Sequence, residues 1–310
     1  MGFTFTKATK KKLKLRLALC GPTGSGKTYT ALRMARELAK GGVVAVIDTE
    51  HSSASLYADD FDFVAGELNH HSPRSYCNAI NAAAEAGVAV LIIDSLTHAW
   101  TGNEGALELV DQAAARNRGN SYVAWRDVTP MHNELVNAIL SFPGHIICTM
   151  RSKMEYVQEK DSRGKTVIRK VGMAPIQRAG MEYEFTVVAD IDVDHKLIVT
   201  KSRCKAVTDA VIKEAGEPFA ATLLEWLERG EDDPRTTPAS DEQIAGFYSA
   251  LDGLGLSAET VDGWAKAVLG WDDVTKIPAP QLRATFAKVR AGHWPDLYDP
   301  QQMPPRRGEE

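Results

Sequence analysis

Runs of apolar residues alternate with amphipathic stretches over residues 13–228. Two central runs, "VVAVIDT" from Val43 and "VAVLIID" from Val88, are nearly continuous in valine, isoleucine and leucine, which is typical of strands covered on both faces. Further strands are predicted at "LKLRLAL" from Leu13, at "GHIICTM" from Gly144 and within "EFTVVADIDVDHKLIVTKSR" from Glu184. This alternation predicts an α/β domain with a mainly parallel central sheet.

Helices are predicted where apolar residues recur at spacings of three and four between these strands. The predicted helices cover residues 28–40, 73–86, 103–115 and 127–141. Gly41 and Gly42 follow the first of them and should end it, because glycine terminates helices readily.

The rest of the chain is organised differently. In the segment 151–172, polar arms flank Asp161-Ser162-Arg163-Gly164, which predicts a projecting hairpin. Residues 1–12 form a basic extension, 13–228 the α/β domain and 229–240 a linker rich in proline and charge. A small helical domain is expected at 241–292, with a core that includes Phe247, Trp264, Leu269 and Trp271, and a disordered tail at 293–310.

Composition places the chain among globular proteins. Of its 310 residues, 44% are hydrophobic and 25% charged, and no apolar run approaches the roughly 20 residues of a membrane helix. Near the N-terminus, Lys14 and Arg16 interrupt the apolar stretch that a signal peptide would need, so a cytoplasmic protein is expected. The four cysteines lack a CxxC pair, which favours reduced packing residues over a zinc site or disulfides.

Charge excludes one broad class of partner. A net charge of −5 argues against a protein that coats nucleic acid over its whole surface. The first 16 residues are basic and contain no acid. This segment could contact nucleic acid or a neighbouring subunit, or be a solvated tail, with equal weight.

The most specific motif is "GPTGSGKT", which follows a predicted strand and opens a predicted helix. It matches GxxxxGK[ST], the phosphate-binding P-loop, in full. Backbone N–H groups of such a loop surround phosphates, Lys27 reaches the β- and γ-phosphates, and the Thr28 hydroxyl binds Mg²⁺. The predicted nucleotide-binding residues are Gly21, Pro22, Thr23, Gly24, Ser25, Gly26, Lys27, Thr28 and Tyr29. The expected ligands are ATP and Mg²⁺.

A P-loop needs a second anchor for the metal, and Asp94 ends the apolar run "VAVLIID". An acid at this place is predicted to hold Mg²⁺ together with Thr28. The alternative is that Asp94 only caps the following turn.

Hydrolysis also needs a group that activates water, and "VVAVIDTEH" places Glu50 just beyond the carboxyl end of a strand, where ligands bind in open α/β sheets. Glu50 is therefore the predicted general base, with His51 beside it. Asp48 competes, since strand alternation points Asp48 and Glu50 the same way.

Taken in order, "GPTGSGKT", "VIDTEH", "LIIDS" and "ICTMR" resemble the core of RecA-type P-loop ATPases over residues 13–227. The chain also resembles phage-encoded RecA-like ATPases of single-strand annealing and recombination. The resemblance implies a RecA-like fold, an oligomeric ring or filament, catalysis by Glu50, and single-stranded DNA as partner. It further implies a γ-phosphate sensor at Thr149, which is shorter than the family's usual glutamine, with Arg151 following it.

The same resemblance implies that "IVTKSR" ends a strand from which a basic residue, Lys201 or Arg203, reaches a neighbour's nucleotide. Such a residue stabilises charge on the transferring phosphoryl group. The alternative is that both residues simply end an edge strand.

By analogy with the DNA-contacting loops of RecA-like proteins, two segments are predicted to bind single strands. One contains Tyr122 and Trp125, and the other is the hairpin with Tyr156; basic and aromatic side chains together suit unpaired nucleotides. The candidate contacts are Arg116, Arg118, Lys153, Arg163, Lys165 and Arg169. A solvated hairpin or a subunit-docking element is the alternative.

Three functions follow from these residues. The first is a Mg²⁺-dependent ATPase that binds single-stranded DNA in phage recombination or annealing, with a single-strand-binding protein as a possible partner of the helical module. The second is a helicase, helicase loader or DNA-packaging motor. The third is a nucleotide-gated assembly module with little turnover.

Overall fold

The computed structural model describes residues 7–117, 119–160, 166–231, 239–253, 277 and 282, with side chains described outside 154–160 and 166–172. The chain divides into two compact units: Lys14–Glu228 forms one, and Met1–Leu13 with Arg229–Glu310 forms the other.

A single sheet runs through the unit Lys14–Glu228. Its strands are β1 (Arg16–Gly21), β2 (Val44–Asp48), β3 (Val64–Glu67), β4 (Val90–Asp94), β5 (His145–Lys160), β6 (Thr166–Pro175), β7 (Val187–Ile191), β8 (Lys196–Ser202) and β9 (Val211–Lys213). The spatial order is β3-β2-β4-β5-β1-β7-β8-β9, and β6 pairs with β5.

The predicted parallel sheet is confirmed. The six strands from β3 to β7 in this order pair in parallel, whereas β8, β9 and β6 add antiparallel pairs. Strand β5 separates β1 from β4. Because parallel strands end at the same edge, the ends of β1, β2, β4 and β5 meet there.

Helices flank the strands. They are α1 (Lys27–Ala39), α2 (Pro73–Glu85), α3 (His98–Thr101), α4 (Ala106–Arg116), α5 (Ser121–Ser141), α6 (Glu217–Glu228) and α7 (Asp241–Asp252). The first two lie within one residue of their predicted bounds. Helix α5 begins six residues before the predicted start, because the Asn120 side chain caps it by accepting a hydrogen bond from the Val123 N–H at 3.2 Å.

Strand alternation divides the core between the two faces of the sheet. Leu17 and Leu19 of β1, together with Leu15 just before the strand, pack with α1 and α6 on one face. Ala18 and Cys20 pack with α2 and α5 on the other. Every residue of β1, β2 and β4 is buried, as their continuous apolar sequences predict.

Two regions differ from the sequence prediction. The segment "EFTVVADIDVDHKLIVTKSR" contains two antiparallel strands, β7 and β8, joined by a turn at 192–195. The hairpin predicted at 151–172 extends to Pro175, with pairing from Ser152↔Pro175 to Lys160↔Thr166. Strand β3 and helix α6 were missed, β3 because it is a short and exposed edge strand.

In the second unit, Lys11 pairs with Glu231 in an isolated bridge. Helix α7 starts with a capping box in which Ser240 and Gln243 exchange hydrogen bonds, and it buries Phe247 and Leu251. The predicted core residues Trp264, Leu269 and Trp271, the predicted tail and most of the linker lie outside the described residues. Among the described residues, no helix is both long and apolar enough to span a membrane.

Candidate nucleotide-binding and catalytic site

The phosphate loop joins β1 to α1 and depends on close backbone contacts. A Cβ on Gly21 would lie 2.4 Å from the Ile191 carbonyl oxygen and 2.6 Å from Ser25 Oγ, so only glycine fits. Gly26 has φ +88°, in the left-handed region that glycine adopts readily, and stands at the N-cap of α1. The loop conformation therefore follows directly from the glycines of the motif.

The polar groups of this loop suit an anion. Helix α1 has no side-chain cap at its start, so the first N–H groups of the helix and its positive dipole end face the loop. Ser25 Oγ is buried without a hydrogen-bond partner among the described residues. Lys27 Nζ donates to the Pro22 carbonyl at 2.8 Å, and burial lowers the pKa of its ammonium. These groups fit the phosphates of a nucleotide.

Asp94 lies at the end of β4 beside the first turn of α1. The Thr28 hydroxyl donates to Asp94 Oδ2 at 2.6 Å, and the Thr149 hydroxyl donates to Oδ1. Burial raises the pKa of Asp94, while these two hydroxyls oppose the shift. A hydroxyl and a carboxylate in contact are oxygen ligands of the kind Mg²⁺ prefers, so the predicted pair Thr28 and Asp94 is brought together and fits this metal.

The two acids that follow the apolar run of β2 have different environments. Asp48 is 2% exposed and accepts hydrogen bonds from the Glu50 N–H at 2.7 Å and the Ala54 N–H at 2.9 Å. Both of its carboxylate oxygens therefore hold the loop after β2. The Glu50 side chain is 30% exposed and faces β5. The structure thus distinguishes the environments of Asp48 and Glu50, which strand alternation could not do.

Arg151 connects Glu50 with the phosphate loop and with the hairpin. Its Nε and Nη2 donate to Glu50 Oε1 at 3.1 and 2.7 Å. In the sheet, Arg151 pairs with Gly21, the first residue of the loop. The next residue, Ser152, starts the pairing with β6. Arg151 therefore joins Glu50, to which its side chain bonds, with the phosphate loop and the hairpin, to which its backbone is connected.

The position expected to sense the γ-phosphate is filled differently. Thr149 has no exposed surface, and its hydroxyl is engaged by Asp94. Thr149 lies two residues before the point at which the pairing of β5 with β1 ends, and its short side chain remains inside the sheet, whereas the Arg151 side chain is 42% exposed and bonds to Glu50. Thr149 therefore positions Asp94, and its expected role as a sensor of the γ-phosphate stays a prediction.

Comparison with known proteins supports the nucleotide site. A family model described as an AAA domain (AAA_24) matches residues 13–214. The chain belongs to the AAA domain family. The match runs from the residues before β1 to the end of β9 and so contains the complete sheet. The protein is thus a P-loop ATPase, a coarser assignment than the RecA type. No curated protein sequence matches the chain significantly.

The AAA domain places Lys201 and Arg203 far from its own phosphate loop. Strand β8 runs antiparallel to β7, so Lys201 pairs with Val188, while Asp190 lies beside Cys20 at the loop. The Arg203 N–H bonds to Thr186, whose own N–H bonds to Arg16. Gly21 lies five positions after Arg16 in β1, about 16 Å along the strand. Within one chain both residues therefore lie on the side of Asp190 and Cys20 away from the phosphate loop, and their role at a nucleotide stays a prediction.

Lys201 is also engaged within its own chain. Its ammonium donates to the carbonyls of Glu182, Tyr183 and Phe185 at 3.1, 2.6 and 2.8 Å. It thereby closes the loop before β7, which is a structural task. Arg203 is exposed and has no side-chain hydrogen bond or ion pair among the described residues, so it is the better candidate for contact with another subunit.

Part of the candidate DNA surface of the AAA domain is described. Arg116 and Lys153 are exposed, and Tyr122 is 89% exposed at the start of α5. Trp125 stacks on Trp100 with ring centroids 5.6 Å apart. Arg118, Arg163 and Lys165, and the side chains of Tyr156 and Arg169, lie outside the described residues.

Sequence reasoning missed the contacts of three residues, Arg178, Thr49 and His195. Arg178 lies over the Trp125 ring at 5.9 Å. Thr49 Oγ1 accepts a hydrogen bond from the Ser95 N–H at 2.8 Å, and this bond links the ends of β2 and β4. Thr49 Oγ1 also lies 2.8 Å from His98 Nδ1. His195 Nδ1 is 3.0 Å from the Ser25 carbonyl oxygen. His195 falls in a turn between two strands, and only its neighbour Asp192, a frequent turn former, gave a signal.

Proposed function

We propose that this protein is a RecA-like ATPase that hydrolyses Mg-ATP and binds single-stranded DNA, acting as a homo-oligomer in phage DNA recombination or annealing. The observation that carries the catalytic part is the meeting of Thr28, Asp94 and Glu50 at one edge of the sheet beside the phosphate loop.

In the proposed reaction, Glu50 takes a proton from water as the water oxygen attacks the γ-phosphorus. The bond to the bridging β–γ oxygen breaks, giving ADP and inorganic phosphate. Lys27 and the N–H groups of the loop bind the phosphates, and a bound Mg²⁺ would supply positive charge that stabilises the negative charge of the phosphates. Asp94 and Thr28 would hold this metal.

Arg151 links the state of the nucleotide to Glu50. Its guanidinium bonds to the Glu50 carboxylate, while its backbone pairs with Gly21 of the phosphate loop. Both side chains of the ion pair are partly exposed, at 42% for Arg151 and 30% for Glu50. A terminal phosphoryl group competes with Glu50 for this guanidinium, because phosphate also forms strong paired hydrogen bonds with arginine. Transfer of Arg151 to the phosphate then releases the carboxylate for catalysis.

DNA binding is supported by exposed residues of the hairpin and of helices α4 and α5. The hairpin continues β5 directly from Arg151, and exposed Lys153, Arg116 and Tyr122 offer cations and a stacking ring. Basic groups follow the phosphates of a single strand, and aromatic rings stack on its bases. A strand bound at the hairpin would therefore lie one residue from the arginine that holds Glu50.

Steady-state ATPase activity with and without single-stranded DNA, together with a mass measurement in solution, tests the proposal. We expect turnover that rises with DNA, in a defined oligomer. Charge reversal of Lys153 should lower the dependence of log affinity on log salt by about 0.7 for each lost phosphate contact, while reversal of exposed Lys205 should leave it unchanged. Equal slopes for the parent and both variants would refute DNA contact at the hairpin.

The Glu50–Arg151 ion pair also favours a second candidate, the nucleotide-gated assembly module, because it occupies the catalytic base. Full binding of Mg-ATP with negligible turnover, also in the presence of DNA, would support this candidate. Strand-displacement activity would instead indicate a helicase.

A further inference from the structure

The turn between β7 and β8 contacts the phosphate loop on the side away from the metal residues. Strand β7 is the neighbour of β1 opposite to β5, and Asp190 at its end pairs with Cys20. Asp94 and Glu50 lie on the β4 and β2 side. If the γ-phosphate end of a nucleotide faces Asp94, the nucleoside end leaves the loop towards the β7–β8 turn.

His195 is held firmly in this turn. Asp192 Oδ1 accepts hydrogen bonds from the Asp194 and Lys196 N–H groups, both at 2.9 Å. The His195 N–H donates to the Asp192 carbonyl at 3.1 Å, and its own carbonyl accepts from Glu214 at 3.0 Å. The backbone of His195 has φ +59°, and its ring is held by the contact of Nδ1 with the Ser25 carbonyl oxygen at 3.0 Å. The imidazole is thus a fixed element of the site.

The contact with the loop determines which ring nitrogen carries a proton. His195 Nδ1 lies 3.0 Å from the Ser25 carbonyl oxygen. A carbonyl oxygen only accepts hydrogen bonds, so Nδ1 must donate. In the neutral ring, Nε2 then carries a lone pair and points away from the loop. His195 is exposed, and no partner of Nε2 is found among the described residues.

We propose that the β7–β8 turn is the nucleoside subsite of this ATPase, in which His195 holds the phosphate loop through Nδ1 and contacts the purine base of ATP through Nε2. This inference rests on the proposed nucleotide site. Nε2 is a hydrogen-bond acceptor, so it can accept from the exocyclic amino group of adenine. It cannot form a hydrogen bond with O6 of guanine, because that oxygen is also an acceptor. Val193, 71% exposed at the tip of the turn, adds apolar surface beside the base.

Two substitutions separate the roles of the two nitrogens. In His195→Asn, the side-chain amide can replace Nδ1 as donor to Ser25, and asparagine tolerates a left-handed backbone well, but nothing replaces Nε2. In His195→Ala, both contacts are lost. His70→Asn, at an exposed histidine on the loop after β3, is the matched control.

Calorimetric binding of Mg-ADP, Mg-GDP and Mg-pyrophosphate tests the proposal, since none of these probes requires turnover. We expect His195→Asn to weaken ADP binding by about three- to tenfold, the value of one hydrogen bond, to reduce the preference for ADP over GDP, and to leave pyrophosphate binding unchanged. His195→Ala should weaken both ADP and pyrophosphate.

Other results overturn the inference. If His195→Asn weakens ADP and pyrophosphate equally, or leaves ADP binding and the preference over GDP at parent values, His195 does not contact the base. A parent protein that binds neither ADP nor pyrophosphate would instead refute the proposed nucleotide site itself.

Discussion

Replacing Asp48 by alanine and Glu50 by glutamine tests whether the two acids after β2 have different tasks. Asp48→Ala removes the acceptor of two backbone N–H groups, at 2.7 and 2.9 Å, one of them in a buried residue. Glu50→Gln keeps the shape of the side chain but removes its basicity and its charge toward Arg151. The first change should therefore reduce stability, and the second should reduce catalysis.

The magnitudes follow from these contacts. The buried Ala54 N–H left without a partner costs about 1–3 kcal/mol and the partly exposed Glu50 N–H about 1 kcal/mol, so Asp48→Ala should destabilise the domain by about 2–4 kcal/mol. For a domain of this size the change lowers Tm by roughly 5–15 °C. Loss of the partly exposed Glu50–Arg151 ion pair is worth only about 0–1 kcal/mol. Loss of a general base, in contrast, lowers turnover by about 10²- to 10⁴-fold.

Thermal unfolding followed by circular dichroism, together with steady-state ATPase assays well below the lower Tm, measures both effects. Glu50→Gln should unfold like the parent and bind Mg-ATP while turnover collapses. Asp48→Asn, which keeps one acceptor oxygen, should lie between the parent and Asp48→Ala in stability. If Glu50→Gln hydrolyses ATP at the parent rate, or if Asp48→Ala loses turnover with an unchanged Tm, the assignment of the two acids is reversed.

Three further predictions concern single residues. Arg151→Gln should reduce the preference for a non-hydrolysable ATP analogue over ADP by about tenfold, the value of one charged hydrogen bond; equal preferences in parent and variant would exclude contact with the terminal phosphate. Arg16 is 6% exposed and donates to the Gly144, Leu140 and Phe142 carbonyls at and just after the end of α5. Arg16→Met should therefore lower the free energy of unfolding by about 2–4 kcal/mol. An unchanged urea midpoint would contradict this prediction. Burial lowers the pKa of His145 to about 4, below its unfolded value near 6.5, so its contribution to stability, about 3 kcal/mol, is lost as pH falls from 6.5 to 4. Burial raises the pKa of Asp190 to about 6, so protonation of Asp190 increases stability over the same range of falling pH. His145→Asn keeps an acceptor for the Leu15 N–H and should gain stability relative to the parent as pH falls from 6.5 to 4.5. Parallel profiles of stability against pH for parent and variant would refute the assignment to His145.

The sequence predicted those features that depend on local pattern. Continuous apolar runs located β1, β2 and β4, because strands buried on both faces need such residues along their whole length. The phosphate loop was predictable from its glycines, since their backbone angles and close contacts exclude other residues at Gly21 and Gly26. Asp94 was found because it ends an apolar strand.

The missing parts depend on contacts between segments distant in the chain. Sequence could not separate Asp48 from Glu50, since the difference lies in the N–H groups of the loop that folds back on Asp48. It could not place Lys201, because the reversal at the β7–β8 turn moves this residue to the edge opposite the loop. The contact of His195 with Ser25 joins residues 170 positions apart and left no local pattern.

Strand β5 changes partners at a single point. Its pairing with β1 ends at Arg151, and its pairing with β6 begins at Ser152. Residues can therefore be added to or removed from the two hairpin arms in opposing pairs without altering any register inside the central sheet. The length of the hairpin can therefore change in evolution while the central sheet that carries the catalytic residues stays the same.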